Sequence, residues 1–183
     1  YKRQNFSSTI GVNGGASFYI GTTASLISQQ DIFSDNKASC SSCSGGALYI
    51  EATGSCSVNG SAFISNEAGS HGGAIYTASS NFTLTGNSIL RGNQVSGGDG
   101  GALYSSSEES LVVSDTFFLN NTAQDVNKMM EYGRGGAIAV AGLSSTGNTR
   151  VQMMLTNVTM ANNFATYSGG ALYIPQYLSL IHI

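Results

Sequence analysis

The sequence predicts an all-β protein, a right-handed parallel β-helix of about five to six coils. The first observation is that Gly-Gly-Ala followed by an apolar residue occurs five times. The second is that nearly every interval also holds an aromatic or aliphatic residue with Asn three places later. Linked signatures at a fixed period indicate stacked copies of one unit. The Gly pairs are Gly45/Gly46, Gly72/Gly73, Gly100/Gly101, Gly135/Gly136 and Gly169/Gly170; the other pairs are Phe33/Asn36, Phe63/Asn66, Leu90/Asn93, Phe118/Asn121 and Met160/Asn163.

The third observation is the kind of segment between these signatures. The Gly pairs recur every 27 to 35 residues, and the intervening segments are short, β-branched or aromatic, and interrupted by Gly, Ser and Asn. This pattern is typical of strands and lacks the 3.6-residue period of a helical solenoid. Each unit is predicted to hold three strands, one directly after the Gly pair, a second such as Cys56–Val58, and a third that carries the residue before Asn. Most parallel crossovers are right-handed, which gives the expected hand.

Stacking places equivalent residues one above another at about 4.8 Å. The third strands then supply an internal column of large apolar side chains. The Asn residues form a second column at the next bend, where Asn tolerates left-handed backbone and bonds the coil above. The Gly pair suits a corner where backbone angles exclude a Cβ or where coils approach closely. In the first strand, either Leu48 and its equivalents or the uniform Ala, as at Ala47, face inward.

Composition limits the functions that this chain can have. Only 9% of its 183 residues are charged and the net charge is −3. The sequence therefore offers no cluster of basic residues that could bind nucleic acid or anionic lipid. No apolar run approaches the roughly 20 residues of a membrane helix, so no membrane span is expected within this fragment. Hydrophobic residues make up 41% of the chain, enough for a core.

Both ends indicate a piece of a longer chain. The first residues are neither a start Met nor a signal peptide, and the helix is expected to be an uncapped fragment. Residues 178–183 break the repeat pattern and look like the translated end of a sequencing adapter. The predicted domains are therefore a β-helix over 1–177 and a non-native tail over 178–183.

One row of polar residues is a candidate binding site. The residue before the Gly pair is His71, Asp99 or Arg134 in three successive units. Aligned on consecutive coils, they would form an acid–base or sugar-binding patch; alternatively this is an exposed corner where any polar residue serves. Two longer units carry insertions, Thr122 to Arg134 and Ala141 to Thr149, which are predicted to be loops on one face. They are either binding loops or tolerated surface loops.

The cysteines give no metal site. Cys40 and Cys43 supply two ligands where a structural zinc site needs four. A local Cys40–Cys43 disulfide would fit an oxidising exterior, and two free thiols are the alternative. Cys56 shares its phase with the inward Phe82 and is predicted to be a buried thiol. No cofactor is expected.

The paired signatures, Gly-Gly-Ala-Ile/Leu and Phe-x-x-Asn, resemble the repeats of the chlamydial polymorphic outer membrane protein family from about Gly14 to Tyr173. Leu90 and Met160 depart from the pattern where Phe is usual, and Ala139 replaces an aromatic residue. The resemblance implies a β-helical autotransporter passenger, displayed on the cell surface or outer membrane, that acts in adhesion. Its partner would be a protein or glycan of a host or neighbouring cell.

The alternative is a β-helix enzyme that binds or degrades polysaccharides. Such an enzyme needs two facing carboxylates, or a carboxylate or metal cluster with a base. The acidic residues of this chain fall at different phases of the repeat, with no two at equivalent places in adjacent coils beside a base. We therefore predict no catalytic residues and expect a structural stalk and binding surface.

Overall fold

The computed structural model describes residues 3–12, 14–51, 54–107, 110–126, 132–141, 152–175 and 179–182. Its regular structure in these ranges is entirely β. In chain order the strands are β1 (Asn5–Ser7), β2 (Ile10–Gly11), β3 (Phe18–Ile20), β4 (Ile27–Gln29), β5 (Ile32–Ser34), β6 (Lys37–Ala38), β7 (Leu48–Ile50), β8 (Ser55–Asn59), β9 (Ala62–Ile64), β10 (Glu67–Ala68), β11 (Ile75–Thr77), β12 (Asn81–Thr85), β13 (Ser88–Arg91), β14 (Gln94–Val95), β15 (Leu103–Ser105), β16 (Ser110–Leu119), β17 (Thr122–Ala123), β18 (Ile138–Val140), β19 (Gln152–Ala161), β20 (Phe164–Ala165), β21 (Leu172–Tyr173) and β22 (Ser179–His182).

These strands form three parallel sheets around one core. Sheet A has ten strands and contains the predicted second and third strands of each unit; sheets B and C have six strands each. Sheet C runs β21-β18-β15-β11-β7-β3 and holds the strands that follow the Gly pairs. The parallel β-helix is thereby confirmed. About four turns of the solenoid lie between two neighbouring turns, which is slightly fewer than the five to six coils expected.

Sheet B is a part of the fold that the sequence did not predict. It runs β2-β6-β10-β14-β17-β20, and each of its strands has two residues. Segments this short leave no alternating pattern to recognise. The chain end also differs from expectation, because β22 pairs in parallel with β19 and extends sheet A. The non-native origin of residues 178–183 stays a prediction.

The inward faces follow the predicted register. Phe33, Phe63, Leu90 and Phe118 are direct neighbours on adjacent strands and at most 1% exposed, and Met160 continues the column, partly buried, in the last turn. The rings of Phe33 and Phe63 stack with centroids 4.7 Å apart. The two alternatives for the first strand are both realised, because Leu48 and Ala47 are each fully buried. Cys56 is a free, buried thiol, as predicted.

The Asn column is a continuous hydrogen-bond ladder. In Asn93, Nδ2 donates to Oδ1 of Asn121 at 3.0 Å and to the carbonyl oxygen of Phe63 at 3.1 Å. Its Oδ1 accepts from the backbone N–H of Asn66 at 3.0 Å and from Asn66 Nδ2 at 2.9 Å. All four bonds of this buried amide are therefore satisfied within the protein, as burial requires. The same pattern repeats at Asn36, Asn66 and Asn121.

Asn163 is the last rung of the ladder and differs from the others. Its Oδ1 accepts from the backbone N–H of Asn121 at 2.9 Å and from Asn121 Nδ2 at 3.0 Å, and its own Nδ2 donates to the Phe118 carbonyl at 3.0 Å. The other four ladder residues are fully buried, whereas Asn163 is only partly buried. The predicted column is thus confirmed at all five positions, with its final amide partly open to solvent.

Two details of the ladder differ from the sequence prediction. The left-handed residue at this bend is the one before each ladder Asn, such as Ser65 at φ 54° and Asn120 at φ 56°, rather than the Asn itself. Thr9 also caps the ladder, since its Oγ1 donates to Asn36 Oδ1 at 2.6 Å. Phe6-Ser-Ser-Thr9 is thus a copy of the Phe-x-x-Asn signature in which a hydroxyl replaces the amide.

The two Gly residues of each pair have separate roles. Gly72 has φ 65°, in the left-handed region that only Gly adopts freely. Gly73 has no such angle, but a Cβ there would lie 2.1 Å from the carbonyl oxygen of Gly101 in the next turn. Both reasons considered for the pair therefore apply, one to each residue.

The close approach recurs along the Gly seam but stops at its end. A Cβ at Gly46 would lie 2.1 Å from the carbonyl oxygen of Gly73, and one at Gly136 would lie 2.1 Å from that of Gly170. Gly170 itself departs from the prediction. Its φ is not left-handed, and its nearest neighbour would be the Asn163 carbonyl oxygen at an ordinary 3.7 Å. Because β21 is the edge strand of sheet C among the described residues, no following turn presses on Gly170 there.

Candidate functional site

The predicted corner residues do lie on consecutive turns. The backbone N–H of Gly72 donates to the Asp99 carbonyl at 3.0 Å, and that of Gly100 donates to the Arg134 carbonyl at 2.9 Å. His71, Asp99 and Arg134 therefore follow one another along the corner between sheets B and C. Ser44 precedes them and Ser168 follows them in the same ladder.

His71 packs against aromatic rings at this corner. Its imidazole meets the Tyr104 ring edge-to-face with centroids 4.4 Å apart, and the Tyr132 ring at 5.9 Å. Its Nδ1 lies 2.5 Å from Ser70 Oγ. Burial lowers the pKa of His71 to about 4, because the charged form loses its hydration. A neutral imidazole with a hydroxyl neighbour is a poor general base at this pKa, so this environment favours a packing role.

The depressed pKa of His71 predicts a loss of stability in acid. Unfolded His takes up its proton near pH 6.5 and folded His71 only near pH 4, so between these values the unfolded state binds more protons. The free energy of unfolding should therefore fall by up to about 3 kcal/mol as the pH drops through this window. Urea unfolding of the wild type and of His71→Gln at pH 7.5 and pH 4.5 checks this. The variant should lose this part of the decline; an identical decline in both proteins contradicts the assignment.

Asp99 is a nearly buried carboxylate, 6% exposed, rather than a surface acid. Its Oδ1 accepts the backbone N–H of Arg134 at 2.8 Å, and its Oδ2 lies 4.0 Å from Arg134 Nη1. Burial raises the pKa of Asp99, and the bonds to Arg134 oppose that shift. Its raised pKa acts on stability in the opposite sense to His71, because the folded state holds the extra proton.

The Arg134 guanidinium lies near two tyrosine rings. Its Cζ lies 5.1 Å from the centroid of the Tyr173 ring and 5.4 Å from that of Tyr167. Ala139 stands between Tyr104 and Tyr173 in the register of sheet C, where the other turns have Tyr. Ala139 is nevertheless fully buried, and we attribute this cover to the Arg134 guanidinium. Arginine stacks on aromatic faces in this way.

This explanation of Arg134 predicts that two substitutions compensate each other. Arg134→Ser leaves the place beside Ala139 uncovered, and Ala139→Tyr forces the guanidinium out; each should destabilise the fold by roughly 1–2 kcal/mol. The double variant has Ser at the corner and Tyr in the row of tyrosines, the same combination as in the turn that contains Ser44. A double-mutant cycle by urea unfolding should give a favourable coupling of about 1 kcal/mol or more. Additive effects would refute the packing of Arg134 over Ala139.

The row of tyrosines was not predicted as a feature of its own. Tyr19, Tyr49, Tyr76 and Tyr104 point outward from sheet C at equivalent positions, with neighbouring centroids 5.2, 4.6 and 5.7 Å apart and ring planes within 15° of parallel. The signal in the sequence was the alternation after each Gly pair. Because Leu48 faces inward, Tyr49 has to face outward.

Two loops near the corner complete the description. A disulfide joins Cys40 and Cys43, in the connection between β6 and β7. In the long connection between β17 and β18, Val126 donates its N–H to the Ser96 carbonyl at 3.0 Å and Gly133 donates to the Gly98 carbonyl at 3.0 Å. The first insertion was predicted to begin at Thr122, but Thr122 and Ala123 form strand β17 of sheet B, so the loop begins after them. Residues 142–149 of the second insertion lie outside the described residues, as do Lys128 and Glu131 of the first.

The disulfide predicts a simple result by mass spectrometry. The intact, oxidised chain should gain two hydrogen atoms on reduction, and only Cys56 should react with a thiol reagent after denaturation without reductant. Peptide mapping then assigns the bond to Cys40 and Cys43. Alkylation of all three cysteines without reductant would show free thiols instead.

The described part of the chain contains no cluster of three or more His, Cys, Asp or Glu residues that could hold a metal ion. A search of the same residues for a helix long and apolar enough to cross a membrane also finds none.

Known proteins share these repeats. Three segments, residues 32–51, 60–78 and 157–175, match the Chlamydia polymorphic membrane protein repeat. The chain is 30% identical over 175 residues to the probable autotransporter YfaL of Escherichia coli (strain K12), and 31% identical over 178 residues to the probable outer membrane protein pmp6 of Chlamydia pneumoniae. These alignments cover 90% and 89% of this chain but only 14% of each relative. No solved structure matches significantly.

Both relatives are named as an autotransporter or an outer membrane protein, which supports a location at the cell surface or outer membrane for this chain. The matched segments coincide with the turns that carry the Asn ladder and the Gly pairs. The fold, the signatures and the similarity agree: this chain is a surface passenger-type segment, and three of its turns match the Chlamydia polymorphic membrane protein repeat.

Proposed function

We propose that the chain is an adhesive segment of a surface protein, a stiff stalk whose outer faces bind a protein or glycan of another cell. The observation that carries this proposal is the outward row of tyrosines on sheet C. The Asn ladder and the interlocked Gly pairs fix each turn to the next, so the row is held on a rigid support. Partly exposed aromatic residues on a rigid scaffold are typical of binding surfaces.

Attachment of coated beads to cells tests adhesion directly. Fluorescent beads that carry the chain should bind a cultured epithelial monolayer at least several-fold above beads coated with serum albumin. Soluble chain should compete with the coated beads and reduce their attachment. Attachment no greater than that of the albumin beads would overturn the proposal.

The second candidate function is a polysaccharide-binding or polysaccharide-degrading enzyme. The observation in its favour is the alignment of His71, Asp99 and Arg134 on consecutive turns. Against it, the carboxylate of Asp99 is almost fully buried and faces Arg134 rather than solvent. A glycan array followed by analysis of released sugars separates retention from cleavage. Turnover that His71→Ala and Asp99→Ala abolish would favour the enzyme over the adhesin.

A further inference from the structure

The lengths of the connections between sheets single out one face of the solenoid. Two residues join sheet A to sheet B in every turn: 8–9, 35–36, 65–66, 92–93, 120–121 and 162–163. The connections from sheet B to sheet C vary from six residues (69–74) to fourteen (124–137). Those from sheet C to sheet A vary from three residues (78–80) to eleven (141–151). Variation in length is therefore confined to the two borders of sheet C.

The Asn ladder explains why the third border does not vary. The side-chain amide of each ladder Asn must donate hydrogen bonds both to the amide oxygen of the next ladder Asn and to a backbone carbonyl of the preceding turn, as that of Asn93 does. An added residue there would leave buried polar groups without hydrogen-bond partners, which is strongly unfavourable. The borders of sheet C lack such a ladder among the described residues, so loops of different length are tolerated there. Variable loops beside a rigid sheet are a common arrangement for recognition.

The outer face of sheet C consists of two rows of side chains. The first is the row of tyrosines. The second lies two residues further along each strand and contains small side chains with one carboxylate: Gly21, Glu51, Ala78, Ser106 and Ala141. The second row holds two hydroxyls of the first, because Tyr49 Oη donates to Glu51 Oε1 at 3.0 Å and Ser106 Oγ donates to Tyr76 Oη at 2.9 Å. These two rings are thus fixed in place by hydrogen bonds as well as by stacking.

The packing of the rings decides which class of ligand fits. A sugar ring binds an aromatic side chain by lying on its open face. Tyr49 and Tyr76 are stacked on tyrosines in the turns on both sides, so both faces of each ring are covered and only edges and hydroxyls reach solvent. Edges and hydroxyls of Tyr, beside small residues, are what protein-binding paratopes present. The charges described on this face are the Glu51 carboxylate and the Arg134 guanidinium, one of each sign, so the face has no net charge to attract a strongly charged polymer.

The face of sheet C is long and narrow. Six strands at about 4.8 Å spacing span roughly 24 Å along the axis. Each strand has two or three residues, so with the residue of the second row the face extends about 10–13 Å across at about 3.3 Å per residue. This area of about 240–310 Å² is the centre of a contact, and a protein that contributes the roughly 800 Å² of a specific complex would also contact the loops at both borders of sheet C.

From these observations we infer that the outer face of sheet C, centred on Tyr76 and Tyr104, is the docking surface for a folded protein with a weakly charged, hydrogen-bonding surface. This inference rests on the proposed adhesive function and names both the face and the class of partner. Binding on this face leaves the outer sides of sheets A and B free.

The test compares two pairs of substitutions that each add two arginines on adjacent turns. Ala78→Arg with Ser106→Arg places them on the outer face of sheet C; Ser57→Arg with Thr83→Arg places them on the outer face of sheet A. Beads coated with each protein are applied to the epithelial monolayer, either untreated, treated with trypsin, or treated with periodate to destroy surface glycans. Tyr76→Phe, which removes one hydroxyl and keeps the ring stack, serves as a milder variant. Urea unfolding verifies that each variant folds.

We expect the sheet C pair to lose attachment at least tenfold and Tyr76→Phe to lose it several-fold, while the sheet A pair binds like the wild type. Trypsin should abolish attachment and periodate should leave it. Equal attachment of the two arginine variants would contradict the proposed docking surface. Loss of attachment to cells treated with periodate, but not to cells treated with trypsin, would contradict a protein partner. In both cases the adhesive function would still stand. If wild-type beads do not attach, the adhesive function itself falls and this inference falls with it.

Discussion

Gly73→Ala is expected to remove a large part of the stability of the fold. The added Cβ would lie 2.1 Å from the Gly101 carbonyl oxygen and 2.7 Å from backbone atoms of Gln94, far inside van der Waals contact. Backbone of the next turn can move away only by breaking the sheet C and sheet B hydrogen bonds beside it. The cost should exceed about 4 kcal/mol, a large part of the 5–15 kcal/mol that stabilises a typical domain.

The matched control for Gly73 is Gly54→Ala. A Cβ at Gly54 would have as its nearest neighbour the backbone oxygen of Ala24 at 4.0 Å, an ordinary packing distance. Circular dichroism and urea unfolding should show a folded protein within about 1 kcal/mol of the wild type. Equal stability of the two variants would mean that adjacent turns are not in close contact at the Gly seam.

The second large effect is expected at the centre of the Asn ladder. Asn93→Asp keeps the shape but replaces the donor Nδ2 with an oxygen, which then faces the Phe63 carbonyl and Asn121 Oδ1. Two donations become repulsive contacts in a fully buried site, so the free energy of unfolding should fall by about 3–5 kcal/mol at neutral pH. Asn93→Ala removes the same bonds without the charge and should cost somewhat less.

Exposed Asn81 provides the control for the ladder. It lies on strand β12 with its side chain in solvent, and Asn81→Asp should change the free energy of unfolding by no more than about 0.5 kcal/mol. Acid should partly rescue Asn93→Asp, because the introduced carboxyl group can donate one bond again once it is protonated. A variant that is insensitive to pH and as stable as Asn81→Asp would show that the ladder does not hold the turns together.

The repeat signatures predicted the parts of the fold in which every turn needs the same residue. Phe63 and Leu90 stack because each turn must fill the same interior space, and Gly73 is required because two turns touch there. Sheet B was not predicted, because a two-residue strand such as Glu67–Ala68 has no periodicity of its own. Its hydrogen bonds depend on the turn above, which is information that no local window contains.

The candidate site was predictable only in its alignment. The period placed His71, Asp99 and Arg134 in one row, but it did not show that Asp99 is buried or that Arg134 turns toward Tyr173. We attribute the position of the guanidinium to Ala139, which has no ring in the row of tyrosines beside Tyr173. On this explanation, a departure from the repeat pattern in one strand accounts for a charged residue on a neighbouring corner.

The constant two-residue bend between sheets A and B makes whole turns interchangeable. Asn66, Asn93 and Asn121 each carry the complete set of donors and acceptors that the next turn requires. Consider a deletion that begins directly after one ladder Asn and ends with the ladder Asn of the next turn. The hydrogen-bond ladder of side-chain amides would remain continuous after this deletion. Recombination between repeats can therefore shorten or lengthen a protein of this kind by full layers, and so alter how far its tip extends from the cell while the interior stays closed.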